Sequence, residues 1–196
     1  MTPSPPNGEA GGSHRAESDA PSGGYSIPVD DSPVSSQLTS FRSHVQRQDV
    51  PAVEALVRRA GVFNDEEVDV ARELVEEALA KGEEASGYYF LFADGECGLE
   101  GYVCLGPIPG THRRCELYWI AVDPDARRRG LGRRLQNAAE DLARDLDADY
   151  LIAETSTIPA YAAARGFYVS AGFSLIAEVP DWHDDGDGMA IFRKRL

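Results

Sequence analysis

The sequence predicts an α+β fold, and three observations predict it. Apolar residues recur at helical spacing in some segments and with strand-like density in others. The two kinds follow one another in the order β, α, α, β, β, β, α, β, α, β, β. Glycine-bearing turns join strand-like neighbours in the manner of hairpins. With 196 residues, 42% of them apolar and 27% charged, the chain is long enough for one domain with a real core and some surplus.

The surplus is N-terminal. Residues 1–37 contain 19 Ser, Pro or Gly and no apolar period, and carry a net charge of 1 minus 5, or −4. Such a segment buries too little to offset its conformational entropy and reads as a disordered tail, with a regulatory arm as the functional alternative. The folded domain is therefore expected over 38–196. Leu38 to Val45 is short and strand-like, and Asp49 can cap a helix with Val53, Leu56, Val57 and Ala60 on one face, ended by Gly61. Asn64 and Glu67 have capping-box spacing. Val68, Ala71, Leu74, Val75, Ala78 and Leu79 then carry a second helix to Lys81-Gly82.

Tyr88 to Ala93 and Leu99 to Leu105 flank Asp94-Gly95 and read as a hairpin, and Cys115 to Val122 is the next strand. Leu131, Leu135, Ala138, Ala139, Leu142 and Leu146 mark a third helix. Tyr150 to Ala153 is a short buried strand and Pro159 to Ser170 a helix. Phe173 to Val179 and Met189 to Arg193 are the last two strands.

The charge balance, 19 basic against 33 acidic residues, is −14, and the domain without its tail still carries −10. That argues against nucleic acid or an anionic membrane as partner. No apolar run reaches transmembrane length, no signal peptide opens the chain, and Cys97, Cys104 and Cys115 form no C-x-x-C pair. A reducing cytoplasm is the expected location. Lysine is confined to Lys81 and Lys194, a bias that suits a salty cytoplasm and that a GC-rich genome also produces.

Between Val122 and Leu135 a strand passes into a helix through a turn in which five of the eight residues 127–134 are arginine. Cations at a helix N-terminus oppose its dipole, so the local sequence asks for a bound anion. Gly130 and Gly132 would let backbone N–H groups approach phosphate oxygens. A Walker loop would need a lysine that is absent, and a dinucleotide fingerprint would need a small residue where Leu135 stands.

The remaining pattern, R-x-x-G-x-G at Arg127, Gly130 and Gly132 after V-D-P, resembles the pyrophosphate motif of the GNAT superfamily of acyl-CoA N-acyltransferases. Phe167-Tyr168 followed by Gly172-Phe173 resembles the family's F-Y-x-x-x-G-F. The resemblance spans residues 38–196. It implies a mixed, mostly antiparallel twisted sheet of six to seven strands, with about four helices on both faces and splayed central strands. It also implies an N-acetyltransferase using acetyl-CoA and no metal, with a small-molecule or peptide amine as acceptor and a homodimer as one assembly. The other reading is an acyl-CoA-binding module without transfer activity.

By the same resemblance the coenzyme falls to Arg127, Arg128, Arg129, Gly130, Leu131, Gly132 and Arg133, with pantetheine on the backbone of Ile120 and Val122. A solvated helix face is the alternative for Arg128 and Arg133. Glu116, six residues before Val122 and in phase with Tyr118, Ile120 and Val122, is the candidate base; a glutamate at the exposed start of a strand, or one that shapes the acceptor pocket, is the alternative. Glu154 is a second carboxylate to bind the amine or relay its proton. Tyr168 is the candidate acid for the leaving thiolate; a packed ring with its hydroxyl outward is the alternative. Cys104 and Cys115 could carry an acyl group, but direct transfer needs neither. The acidic run from Asp181 to Asp187 fits calcium-loop spacing poorly, with His183 at a ligand position. It reads either as an acceptor wall, with Asp181 and Trp182 receiving a cation, or as a plain turn.

Overall fold

Unbroken burial from Phe90 to Ala93 and from Gly101 to Gly106 needs cover on both faces, and the computed structural model, which describes residues 40–196, supplies it with helices. Seven strands form one sheet in the order β1-β2-β3-β4-β5-β7-β6: β1 Ser40–Arg42, β2 Tyr89–Gly95, β3 Gly98–Pro107, β4 Arg114–Val122, β5 Tyr150–Ser156, β6 Ser174–Asp184 and β7 Asp187–Arg195. Every neighbouring pair is antiparallel except β4 and β5. The tail read at 1–37 lies outside the described residues.

One face of the sheet is covered by α1 (Asp49–Ala60) and α2 (Asp65–Lys81), whose Val53, Leu56, Val57, Val68 and Val75 pack on Phe90, Phe92, Tyr102 and Ala121. The other is covered by α4 (Leu131–Asp145) and α5 (Ala162–Ser170), whose Leu135, Ala139, Ala143 and Tyr168 pack on Leu91, Val103, Leu117, Leu151 and Phe192. The capping box expected at Asn64 is present, with both reciprocal bonds at 2.8 Å.

Four local readings differ from expectation. Asp49 is the first residue of α1 rather than its cap, and its buried carboxylate pairs with Arg42 at 2.8 Å. A further one-turn helix, α3 (Glu83–Ser86), occupies the approach to β2; four residues are too few to show a period. The helix expected from Pro159 begins as a 3-10 turn, Pro159–Tyr161, before α5. The last two strands run longer than their apolar stretches because β6 is an edge strand with exposed Leu175 and Ile176, so burial does not mark its length. A part-buried ion pair fastens α4 to β7: Lys194 Nζ lies 2.5 Å from Glu140 Oε1 and donates to Ala171 O at the end of α5 (2.8 Å).

The feature that positions the site is a fork. β4 and β5 pair only from Arg114↔Tyr150 to Leu117↔Ala153, although both strands continue, to Val122 and Ser156. Beyond Leu117 the far side of β4 is bonded to β3 and the near side faces a gap. A bulge coincides with the parting, since Cys104 pairs with Trp119 and Leu105 with Leu117, leaving Tyr118 as the extra residue.

Candidate active site

The bulge reassigns the faces of β4. Glu116 and Tyr118 lie on the α1/α2 side; past the bulge Trp119 and Ala121 take that side, while Ile120 and Val122 pack toward α4. Glu116 is therefore in phase with Tyr118 but not, as simple alternation predicts, with Ile120 and Val122, because one inserted residue flips everything after it. The N–H of Asp123 donates to Glu100 O of β3 (2.8 Å). Strand alternation then turns the backbone groups of Ile120 and Val122 to the unpaired edge, toward the gap.

At the C-terminal end of β4 the arginine loop is tied down by its own residues. Asp123 Oδ1 accepts from Asp125 N (2.9 Å) and Oδ2 lies 2.7 Å from Arg59 Nη2. Against the penalty of burial, these two donors hold the carboxyl below its ordinary value. Arg127 donates to Val122 O (3.3 Å) and Ala60 O (3.2 Å), so it docks the loop onto β4 and the last turn of α1. Arg129 reaches Glu100 Oε1 (3.3 Å) and Arg133 reaches Ser170 O (2.6 Å). Arg134 lies over the Phe41 ring, 5.1 Å from its centroid.

Arg128 is the exception. Its φ is +63°, a left-handed value that costs a side chain roughly 1–2 kcal/mol, and its guanidinium has no protein partner among the described residues. Gly130, at φ +76°, caps α4. The first bond of the helix is Arg134 N to Gly130 O at 3.1 Å, which leaves the N–H groups of Leu131, Gly132 and Arg133 pointing out of its N-terminus. The Leu131 side chain is in the core, so only its backbone is available. A Cβ on Gly132 would meet Phe167 at 3.6 Å and Val122 at 3.8 Å, ordinary contact. The glycine requirement is thus conformational at 130 and slight at 132. This loop has the donor set for a polyphosphate: successive unpaired amides, a helix dipole and one uncommitted cation.

On the α1/α2 side of the gap, Glu116 is half-buried. Burial first, and the negative charge of Glu154 second, push its carboxyl up to about 7. Glu116 pairs with Ile152, placing Glu154 on the same face of β5, and Glu154 is exposed. Tyr118 stands beside them with its ring edge-on to Tyr88 at 5.4 Å. On the other side Tyr168 is 6% exposed and its ring is packed among Phe167, Phe173 and Phe192, at 5.9, 5.5 and 5.5 Å. Burial pushes its phenol up to about 12, and no group among the described residues accepts from its hydroxyl. A thiolate of ordinary basicity lies well below that, so full proton transfer from the phenol would be uphill. Tyr168 is better suited to donating a hydrogen bond than to surrendering its proton.

Burial also raises both core thiols, Cys115 to about 11 and Cys104 well above the ordinary thiol value, so neither is an available nucleophile at neutral pH. In the acidic hairpin, Asp181 Oδ1 accepts from Gly186 N and Asp184 Oδ1 from Asp185 N, both at 2.8 Å. These carboxylates serve the turn, and Trp182 is exposed beside them. Among the described residues no three His, Cys, Asp or Glu side chains gather as metal ligands, and no helix is long and apolar enough to cross a membrane.

Sequence reasoning missed the aromatic cluster at the mouth of the fork, formed by Phe63, Trp119 and Tyr161. Its one sequence signal was Glu67, legible as a capping residue but not as a partner for Tyr161, 94 positions away.

Comparison with known proteins is consistent with this geometry. Residues 50–173 match the model of the Acetyltransferase (GNAT) family. A GNAT-family protein from Desulfovibrio desulfuricans is 42% identical, with a TM-score of 0.77 over 80% of this chain and 98% of that one. The ribosomal-protein-S18-alanine N-acetyltransferase of Escherichia coli shares the fold at 23% identity, with a TM-score of 0.62 over 80% of this chain and 93% of its own. An aminoglycoside 6'-N-acetyltransferase complexed with coenzyme A does so at 15% identity, with a TM-score of 0.62 over 80% and 96%. Comparison with the curated proteins gave no significant match.

Proposed function

The chain belongs to the GNAT family of acetyltransferases, and from that premise we propose that residues 38–196 move an acetyl group from acetyl-CoA to a primary amine by direct attack. The observation that carries this reading is the fork, whose unpaired β4 edge runs from the open amides of the arginine loop to a half-buried carboxylate. Acetyl-CoA brings the reactive thioester; everything else is asked of the protein.

The loop amides of Gly130 to Arg133 and the Arg128 guanidinium take the pyrophosphate. Arg127, Arg129 and Arg133 hold the loop in shape. The backbone of Ile120 and the N–H of Val122, whose carbonyl oxygen is held by Arg127, pair with pantetheine and offer an N–H to the thioester carbonyl oxygen as it gains negative charge. Glu116, ionised above about pH 7, takes a proton from the incoming ammonium, directly or through water, and Glu154 helps to hold that cation. The amine nitrogen bonds to the acyl carbon, the carbon–sulfur bond breaks, and Tyr168 hydrogen-bonds the departing sulfur. The sulfur is finally protonated at the expense of the amine's second proton, so an amide and a free thiol leave.

A small amine or amino acid is the favoured acceptor and a protein amine the second. The domain's charge of −10 favours a cationic one, with Asp181 and Trp182 at the rim. Calorimetric titration of acetyl-CoA, followed by a panel of amines with free thiol monitored in the same sample, tests this. Binding with thiol release on one class of amine is the expected result. Binding without release across the panel would favour the non-catalytic module, and no binding at low or high salt would overturn the reading.

A further inference from the structure

The mouth of the fork is bridged by aromatic rings that this mechanism does not use. Phe63 sits in the turn 61–64 between α1 and α2, with its ring 5.1 Å from that of Trp119 on β4 at an interplanar angle of 35°. It meets Tyr161 edge-on at 6.2 Å and 68°. Tyr161 belongs to the 3-10 turn after β5, so the three rings span the strands just where pairing has stopped.

The bridge is latched by one carboxylate. Tyr161 donates to Glu67 Oε1 at 2.6 Å, while Glu67 Oε2 accepts from Asn64 N at 2.8 Å, next to Phe63. Glu67 thereby fixes the turn carrying Phe63 and the turn carrying Tyr161 at once. Beneath Phe63, Trp119 Nε1–H is buried and lacks an acceptor among the described residues. Burying a donor unpaired is costly, and such a group calls for a water, a ligand or local strain to account for it. Trp119 lies on the same face of the sheet as Glu116 and Glu154, so the rings and the two carboxylates share one side of the fork.

We propose that Phe63 is a specificity-determining residue that sets the girth of the acceptor, admitting a slender primary amine between the α1–α2 turn and Tyr161 and turning away a branched or cyclic one. This rests on the amine-acetyltransferase reading above. An apolar wall discriminates by the space it fills, and a benzyl group removed is space for a ring.

The test pairs two primary amines of similar size and different girth, n-hexylamine and cyclohexylmethylamine, in thiol-release assays with acetyl-CoA. In Phe63→Ala the turnover ratio of the wide amine to the slender one should rise roughly tenfold or more, with Phe63→Leu between it and wild type. Acetyl-CoA affinity, measured separately, should hold in both. A reading independent of turnover uses Trp182→Phe, which leaves Trp119 as the sole tryptophan. Adding Phe63→Ala or Tyr161→Phe to it should make Trp119 more quenchable by acrylamide and shift its emission to the red. An unchanged ratio with acetyl-CoA binding intact, no turnover of either amine by any of the proteins, or unchanged Trp119 accessibility in both added variants overturns the gate alone. Loss of acetyl-CoA binding in the wild type would instead remove the parent reading, and the gate with it.

Discussion

The two sides of the fork are held in opposite ways. On the side proposed for the coenzyme, Asp123, Arg127, Arg129 and Arg133 each bond to a neighbour, so the loop is tied down by its own residues while Arg128 and the helix amides stay uncommitted. On the side proposed for the acceptor, Glu116 is half-buried, receives no hydrogen bond among the described residues and is opposed by Glu154. Binding a polyanion rewards preorganised donors, whereas moving a proton near neutrality needs a carboxylate that its surroundings leave under-stabilised. The contrast assigns the sides different kinetic consequences, and each substitution below should move one side without the other.

The largest effect belongs to Glu116→Gln. It should lower kcat/KM by roughly 10²- to 10⁴-fold and abolish the rise in rate expected of the wild type as pH passes through about 7. Because burial and Glu154 raise this carboxyl in the folded state, its contribution to stability is complete below the ordinary carboxylate value and is lost as pH rises to about 7. The Tm of the variant relative to wild type should therefore be most favourable above pH 7, as a pH series of thermal melts would show.

On the other side, Gly130→Glu forces a side chain into a left-handed backbone and sets a carboxylate before the phosphates. Acetyl-CoA affinity should fall roughly a hundredfold or more, measured by calorimetry. Tyr168→Phe removes one hydrogen bond to the leaving sulfur. It should lower kcat by roughly tenfold with coenzyme affinity kept, and unchanged turnover would return Tyr168 to a packing role. The smallest effect is expected at Arg128→Gly. Acetyl-CoA should bind about threefold more weakly, as for an exposed ion pair. Tm should not fall, because the strain at φ +63° is relieved.

The same contrast explains what could be read from the sequence. The arginine loop is one contiguous run whose chemistry is legible without coordinates, and the amphipathic helices and apolar strands declare the layers around it. What stayed hidden depends on pairing across distance. Tyr118 is a bulge only because β3 registers as it does, and that single extra residue moved Ile120 and Val122 off the face of Glu116. Arg127 reads from the sequence as a phosphate ligand, and its bonds to Val122 O and Ala60 O, which brace the loop, depend on pairing that the sequence does not display. Glu67 was visible as a cap because its partner is three residues away, and Tyr161 was not because its own is 94 away.

The most direct measurement of the central claim is acetyl-CoA binding to wild type and Glu116→Gln, side by side, with thiol release on the best amine followed in the same samples. Equal coenzyme affinity with transfer lost only in the variant is the result this account expects. Loss of coenzyme binding in Glu116→Gln, or transfer that survives it undiminished, would contradict the division of labour across the fork.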